Sequence, residues 1–195
     1  IRAAIDADEL LRLALRSPDA RIAVLGHTRW ASVGIISEPN AHPLNQEEEA
    51  GESRGPYVVA ALNGDVDNHV DLVAEHGLSI AGPITTDAKV IPALVSRQAE
   101  QSSDLLEGFR RSVAGFEGSV AIAAASADRP NEVLLALRGS GQGLYVGLAD
   151  DLYVVASEPY GVVEETMRYV RLDGESPAVA DDPSSRGQIV VLDGD

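Results

Sequence analysis

The chain has 195 residues, with 31 Asp and Glu against 15 Lys and Arg, a formal charge of −16, and no cysteine. That balance disfavours nucleic acid, whose phosphates need Lys and Arg. The missing thiols remove disulfides, thiolate metal ligands and a cysteine nucleophile from whatever the chain does unaided.

Residues 5–16, IDADELLRLALR, place Leu at 10, 11, 13 and 15 among Asp and Arg. That is the pattern of an amphipathic helix, which Asp6 or Asp8 can cap. A turn follows around Pro18, and RIAVLGHT (21–28) reads as a short buried strand ending in polar groups. Residues 38–56 contain Pro39, Pro43, Gly51, Gly55, Pro56 and the run QEEEAGESRG, and read as a solvated loop. YVVAALN (57–63) is a second buried strand, closed by Asn63-Gly64. VDNHVDLVAEHG (66–77) predicts a helix with Val66, Val70 and Val73 on one face and Gly77 past its end. TTDAKVIPALVSRQ (85–98) opens with capping residues and continues at helical spacing; Pro92 fits only in its first turn. A further helix is expected over residues 103–114. The pattern then changes to six short apolar runs: GSVAIAAAS, EVLLALR, GLYVGLA, LYVVAS, YVRLDG and QIVVLDG. They read as strands joined by hairpins.

Helices therefore cover sheets in an α+β arrangement. No repeat or linker divides it, so residues 1–195 read as one domain. No apolar run nears the ~20 residues of a membrane helix, and no signal-peptide pattern is present. A cytoplasmic setting is expected. The first residue is Ile rather than Met, and the chain stops just after IVVLDGD; both suggest part of a larger protein.

Three places concentrate polar chemistry. They are His27-Thr28-Arg29-Trp30 at a strand end, Asn63-Gly64 at another, and Asp87 at a helix start. Arg beside Asp suits a zwitterion, with guanidinium for a carboxylate and carboxylate for an ammonium. Asn-Gly offers an amide and an unhindered backbone N–H, the makings of an oxyanion hole. Each also has a plainer reading. Arg29 and Trp30 could stack on the surface, Asn63-Gly64 could be a tight turn, Asp87 could cap a helix, and His27 could be a satisfied core histidine. His42 has no partners at metal-ligand spacing, so no metal site is expected, and no cofactor.

Taken in order, GHTRWASVG, NAHP, ALNGDVDNHVDL, TTDAKVIPAL, EGSVAIAAA, LALRGSGQGLYVGLADDLYVVASEPYGVV and RYVRLDGE resemble the glutaminase domain of N-terminal-nucleophile (class II) glutamine amidotransferases. GHTRWA with NAHP looks like the glucosamine-6-phosphate synthase family among them. The resemblance runs from residue 21 to about residue 174. It implies a four-layer αββα sandwich. It also implies hydrolysis of L-glutamine to glutamate and ammonia, with ammonia channelled to a sugar-phosphate isomerase domain that turns fructose 6-phosphate into glucosamine 6-phosphate. Arg29 would hold the glutamine carboxylate and Asp87 its ammonium. Residues 30–37 would form a closing loop, with Trp30 gating the ammonia exit. Asn63 and Gly64 would hold the oxyanion. The family's homodimer forms through the isomerase domain.

Departures accompany the match. The family's nucleophile is an N-terminal Cys, and this chain has none. Truncation of a Cys-bearing opening segment is the simpler explanation, and this chain alone is expected to be inactive. Ser32-Val33 stands where the family has Thr-His. Ser32 keeps a hydroxyl for the carboxylate, while Val33 could offer only its backbone. Lys89 stands where the family usually has an acid, which puts partner contacts in doubt. The alternatives are a glutaminase serving another acceptor, such as a phosphoribosyl substrate, and a degenerate, non-catalytic glutamine-binding module.

Overall fold

The computed structural model describes residues 2–49, 51 and 55–194. Within the acid-rich loop, residues 50 and 52–54 lie outside the described residues, as do residues 1 and 195 of the expected domain. The helices are α1 (Arg2–Ala7), α2 (Glu9–Leu15), α3 (His69–His76), α4 (Val90–Ser102), α5 (Leu105–Ala114) and the one-turn α6 (Tyr160–Val163). The strands are β1 (Leu44–Asn45), β2 (Val58–Val66), β3 (Gly118–Ser126), β4 (Arg129–Arg138), β5 (Tyr145–Leu148), β6 (Tyr153–Ala156), β7 (Tyr169–Arg171), β8 (Pro177–Val179), β9 (Asp182–Arg186) and β10 (Gln188–Asp193).

Strands β1-β2-β3-β4-β10 form an antiparallel sheet, and β6-β5-β7 form a second. Alternation along the strands sorts side chains between two cores. Ala60, Leu62, Val120, Ile122, Ala124, Leu134 and Ala136 face Val90, Ile91, Leu94, Val95 and Phe109 of α4 and α5. The intervening Ala121, Leu135 and Leu137, with Leu192, face Leu144, Val146 and Leu172 of the smaller sheet. Val162 of α6 lies against Gly147, whose neighbour Val146 faces inward, so α6 sits on the outer face of the small sheet. The order helix, sheet, sheet, helix is the α+β, αββα arrangement that the resemblance implied.

All six strands expected in the second half are present. β4 starts three residues earlier than its apolar run, and the polar hairpin β8-β9 is an addition. Pro92 does fall in the first turn of α4. Asp8 accepts from Leu11 N at 2.9 Å, but as the cap of α2 rather than of one continuous helix. α2 buries none of its residues, and Leu10 and Leu13 are exposed.

Two expectations are corrected. Residues 21–28 form no strand, and Ile22 and Val24 are exposed. A strand needs a neighbour for its N–H and C=O groups, and no described strand pairs with this segment. In α3 the buried residue is Leu72, whereas Val70 points to solvent and Val66 belongs to β2. Among the described residues, no helix is long and apolar enough to cross a membrane.

Candidate functional site

Asn63 and Gly64 do not close β2. The strand continues to Val66, with Asn63 opposite Ala121 and Gly64 opposite Val120. That removes the tight-turn reading. Gly64 has φ of +115°, and a Cβ there would lie 2.0 Å from the Ser119 carbonyl oxygen, so a side chain is excluded both by conformation and by space. The Asn63 amide is half-buried on the same strand.

Asp87 sits 3% exposed at the start of a 3-10 turn leading into α4. It does not cap that turn. Its Oδ2 accepts from Val66 N at 2.7 Å and its Oδ1 from the Thr86 hydroxyl at 3.3 Å. The carboxylate is thereby tied to the end of β2. Burial pushes its pKa up, and the nearby Asp65 charge adds to that; the Val66 N–H, His69 and Thr86 pull the other way. A cation placed beside Asp65 and Asp87 would be stabilised by both.

The loop after residue 28 packs onto the same region. Arg29 is half-buried, and its guanidinium donates to the carbonyls of Val33 and Ile35, the latter at 3.2 Å. This leaves other N–H groups of its fork for a ligand. Val33 thus contributes its backbone carbonyl, to Arg29. The Ser32 hydroxyl donates to Asp65 Oδ1, fastening the loop to β2. Gly34 has φ of +81°, and a Cβ there would stand 2.9 Å from Thr85 backbone atoms. Trp30 is 97% exposed and makes no ring contact with a described residue. The stacked Arg29–Trp30 pair is therefore absent, and Trp30 covers nothing here.

The histidines are not satisfied core groups. His27 and His42 stack with centroids 4.7 Å apart, and the buried His27 Nδ1 and His42 Nε2 have no hydrogen-bond partner among the described residues. His42 Nδ1 lies 3.2 Å from the Leu62 carbonyl. Burial, then the His27 and Arg29 charges, lowers the His42 pKa to about 4. Burial and Arg29 lower that of His27 as well. Both rings are neutral near pH 7. Lys89 is turned inward, 1% exposed, donating to the Asn45 carbonyl at 2.6 Å. It is unavailable as a surface contact.

Three participants escaped the sequence reading. Asn40 is fully buried and bonds to both Ile35 and Thr85-Thr86. Its signal, the NAHP run, was visible without a role attached. Asp65 directly follows the Asn-Gly pair. Gln142 stands with Cγ 3.1 Å from where a Cβ on Gly64 would be, and it lines a cleft of about 360 Å³ together with Ser140, Arg171, Asp173 and Glu175.

No family model matches the chain. It is 32% identical over 165 residues to the glutamine–fructose-6-phosphate aminotransferase (isomerizing) of Neisseria meningitidis serogroup A, covering 83% of this chain and 25% of that protein. To the enzyme of that name in Bacillus subtilis strain 168 it is 33% identical over 176 residues, covering 89% of this chain and 27% of the relative. The chain thus spans about a quarter of the length of these relatives. Among solved structures, it resembles the glutamine phosphoribosylpyrophosphate amidotransferase of B. subtilis complexed with ADP and GMP. The TM-score is 0.58 at 26% identity, over 75% of this chain and 31% of the other. A structure described as the allosteric regulatory enzyme of purine biosynthesis matches with the same TM-score at 27% identity, over 75% of this chain and 31% of the other.

Proposed function

We propose, for a chain whose sequence and fold are those of the N-terminal-nucleophile glutamine amidotransferases, that the groups gathered at the end of β2 form a pocket for L-glutamine. The observation that supports this most is the joining of three elements there. Ser32 reaches Asp65, Asp87 reaches Val66 N, and Asn63 and Gly64 lie one turn of the pleat away. Arg29 takes the ligand's α-carboxylate with the N–H groups its loop leaves free. Asp87, helped by Asp65, takes the α-ammonium. The side-chain amide then lies toward Asn63 and Gly64, whose N–H groups receive the negative charge that develops on its oxygen during attack. Losing one such donor typically costs about 10²–10³ in rate.

The attacking group comes from outside these residues, because the sequence has no cysteine and the hydroxyl of Ser32 is already donated to Asp65. Residues 1–195 act as a single glutaminase domain that binds glutamine and by itself hydrolyses none, its Cys-bearing segment being supplied upstream. Ammonia goes to a sugar-phosphate isomerase domain of the same protein, which forms glucosamine 6-phosphate from fructose 6-phosphate and dimerises the whole. The sugar-phosphate acceptor is favoured over a phosphoribosyl one by the higher sequence identity to the fructose-6-phosphate enzymes.

Glutamate release is the test, measured on this chain and on a version with a Cys-bearing segment placed before residue 1. Release only by the extended version supports the reading. Equal, substantial release by both sinks the missing-nucleophile argument. Glutamine binding without release by the extended version would leave a non-catalytic binding module.

A further inference from the structure

Asn40 is fully buried on a single 3-10 turn, yet its amide is engaged on both faces. Its Oδ1 accepts from Thr85 N at 2.7 Å and from Thr86 N at 3.1 Å. Its Nδ2 stands 3.1 Å from the Ile35 carbonyl, 3.0 Å from Ser37 Oγ and 3.1 Å from Thr85 Oγ1. An amide has two N–H groups, so two of these three are bonded at once. The Ile35 carbonyl is also held by the Arg29 guanidinium at 3.2 Å. Thr86 in turn donates its hydroxyl to Asp87. Asn40 is therefore one group removed from each charged side chain of the pocket, on the Arg29 side through its donor and on the Asp87 side through its acceptor.

We infer that Asn40 is the positioning residue that sets Arg29 against Asp87 in this pocket. The inference rests on the glutamine pocket proposed above for its choice of ligands. Thr85 also joins the two segments, its Oγ1 accepting from Ile35 N at 3.4 Å, but by one long bond; among the described residues Asn40 alone bonds both the Ile35 carbonyl that Arg29 holds and the Thr86 N–H next to Asp87. Gly34 meets Thr85 only by close contact, and Ser32 reaches Asp65 rather than Asp87. An amide is needed because no other side chain of this size supplies N–H donors to one element and a carbonyl acceptor to another.

The two halves of the amide can be removed separately. Asn40→Asp, once ionised, keeps the acceptor and loses the donors; Asn40→Leu loses both. The ligands can be halved too. Glutaramate is glutamine without its ammonium, and 4-aminobutanamide is glutamine without its carboxylate. Dissociation constants for both, and for L-glutamine, are read by NMR titration of the chain. Asn40→Asp should weaken glutaramate about tenfold, which is ~1.4 kcal/mol, and leave 4-aminobutanamide within about twofold. Asn40→Leu should weaken both by about tenfold. Equal weakening of both ligands by Asn40→Asp, or none by Asn40→Leu, overturns the inference. If the unmodified chain binds none of the three, the glutamine pocket falls, and amide hydrogen exchange decides by itself whether Asn40 ties the Arg29 and Asp87 segments together. Thr86 N–H should then stay protected in Asn40→Asp while the Arg29 side-chain signal broadens. An unchanged Arg29 signal, or loss of Thr86 N–H protection, in Asn40→Asp overturns it, and the same readout serves if Asn40→Leu does not fold.

Discussion

Acid should loosen this domain through His42. The imidazole titrates near 4 in the folded chain, against an ordinary 6.5, because it is buried beside His27 and Arg29. Between those values the unfolded chain binds the proton and the folded chain does not. Stability therefore rises with pH across that window. The contribution is whole above pH 6.5 and is lost as the pH falls toward 4. At about 1.4 kcal/mol per pKa unit, the gap corresponds to about 3 kcal/mol, and residual solvent access at this half-buried ring lowers that to about 2 kcal/mol. The assay is urea unfolding from about pH 7.5 to about pH 4, on the unmodified chain and on His42→Asn, whose amide can stand in for Nδ1 against Leu62. With a urea dependence of about 2 kcal/mol per molar, the unmodified chain should lose about 1 M more in its midpoint than the variant. Other titrating groups, including His27 and Asp87, act in both proteins and largely cancel in the difference. Parallel midpoint curves for the two proteins would refute the reasoning.

Gly64→Ala places a Cβ 2.0 Å from the Ser119 carbonyl in the middle of the β2–β3 ladder. It should cost about 3 kcal/mol or more, and an unchanged melting temperature would show that the strands are not so close. Arg97 grips Glu48 through Nε at 2.8 Å and donates to the His76 carbonyl at 2.6 Å, while the Glu48 side chain is only 6% exposed. Arg97→Leu should cost about 3 kcal/mol in a denaturant titration, because a buried carboxylate loses its partner. Adding Glu48→Gln should return part of it, and a purely additive double variant would argue against the pair. Arg29→Ala should abolish the discrimination between L-glutamine and 4-aminobutanamide in a binding titration, since the two differ only by the carboxylate that Arg29 is proposed to hold.

Strands β2, β3 and β4 were legible because each has both faces buried, so continuous apolar runs announce them. α5 and the end of α3 were legible from period and from Gly77. The segment over residues 21–28 has the same apolar look, but a strand also requires a partner, which local composition does not record. Asn63-Gly64 carries the usual mark of a turn, yet the ladder with β3 runs straight through it, because long-range pairing outweighs a two-residue preference. The β8-β9 hairpin is almost wholly exposed, so no apolar alternation betrays it.

The sequence by itself determined the elements whose apolar residues recur at a fixed spacing. It also determined the kinds of charge available to the site, since residue type sets what Arg29, Asp87 and Asn63 can bond. Only the tertiary structure decided which of these meet. Asn40 reaches Thr85 and Thr86, Ser32 reaches Asp65, and Asp87 turns from its own helix to Val66. Hydrogen bonds between groups so far apart along the chain depend on the packing of the intervening sheet and helices, and no local pattern encodes that distance.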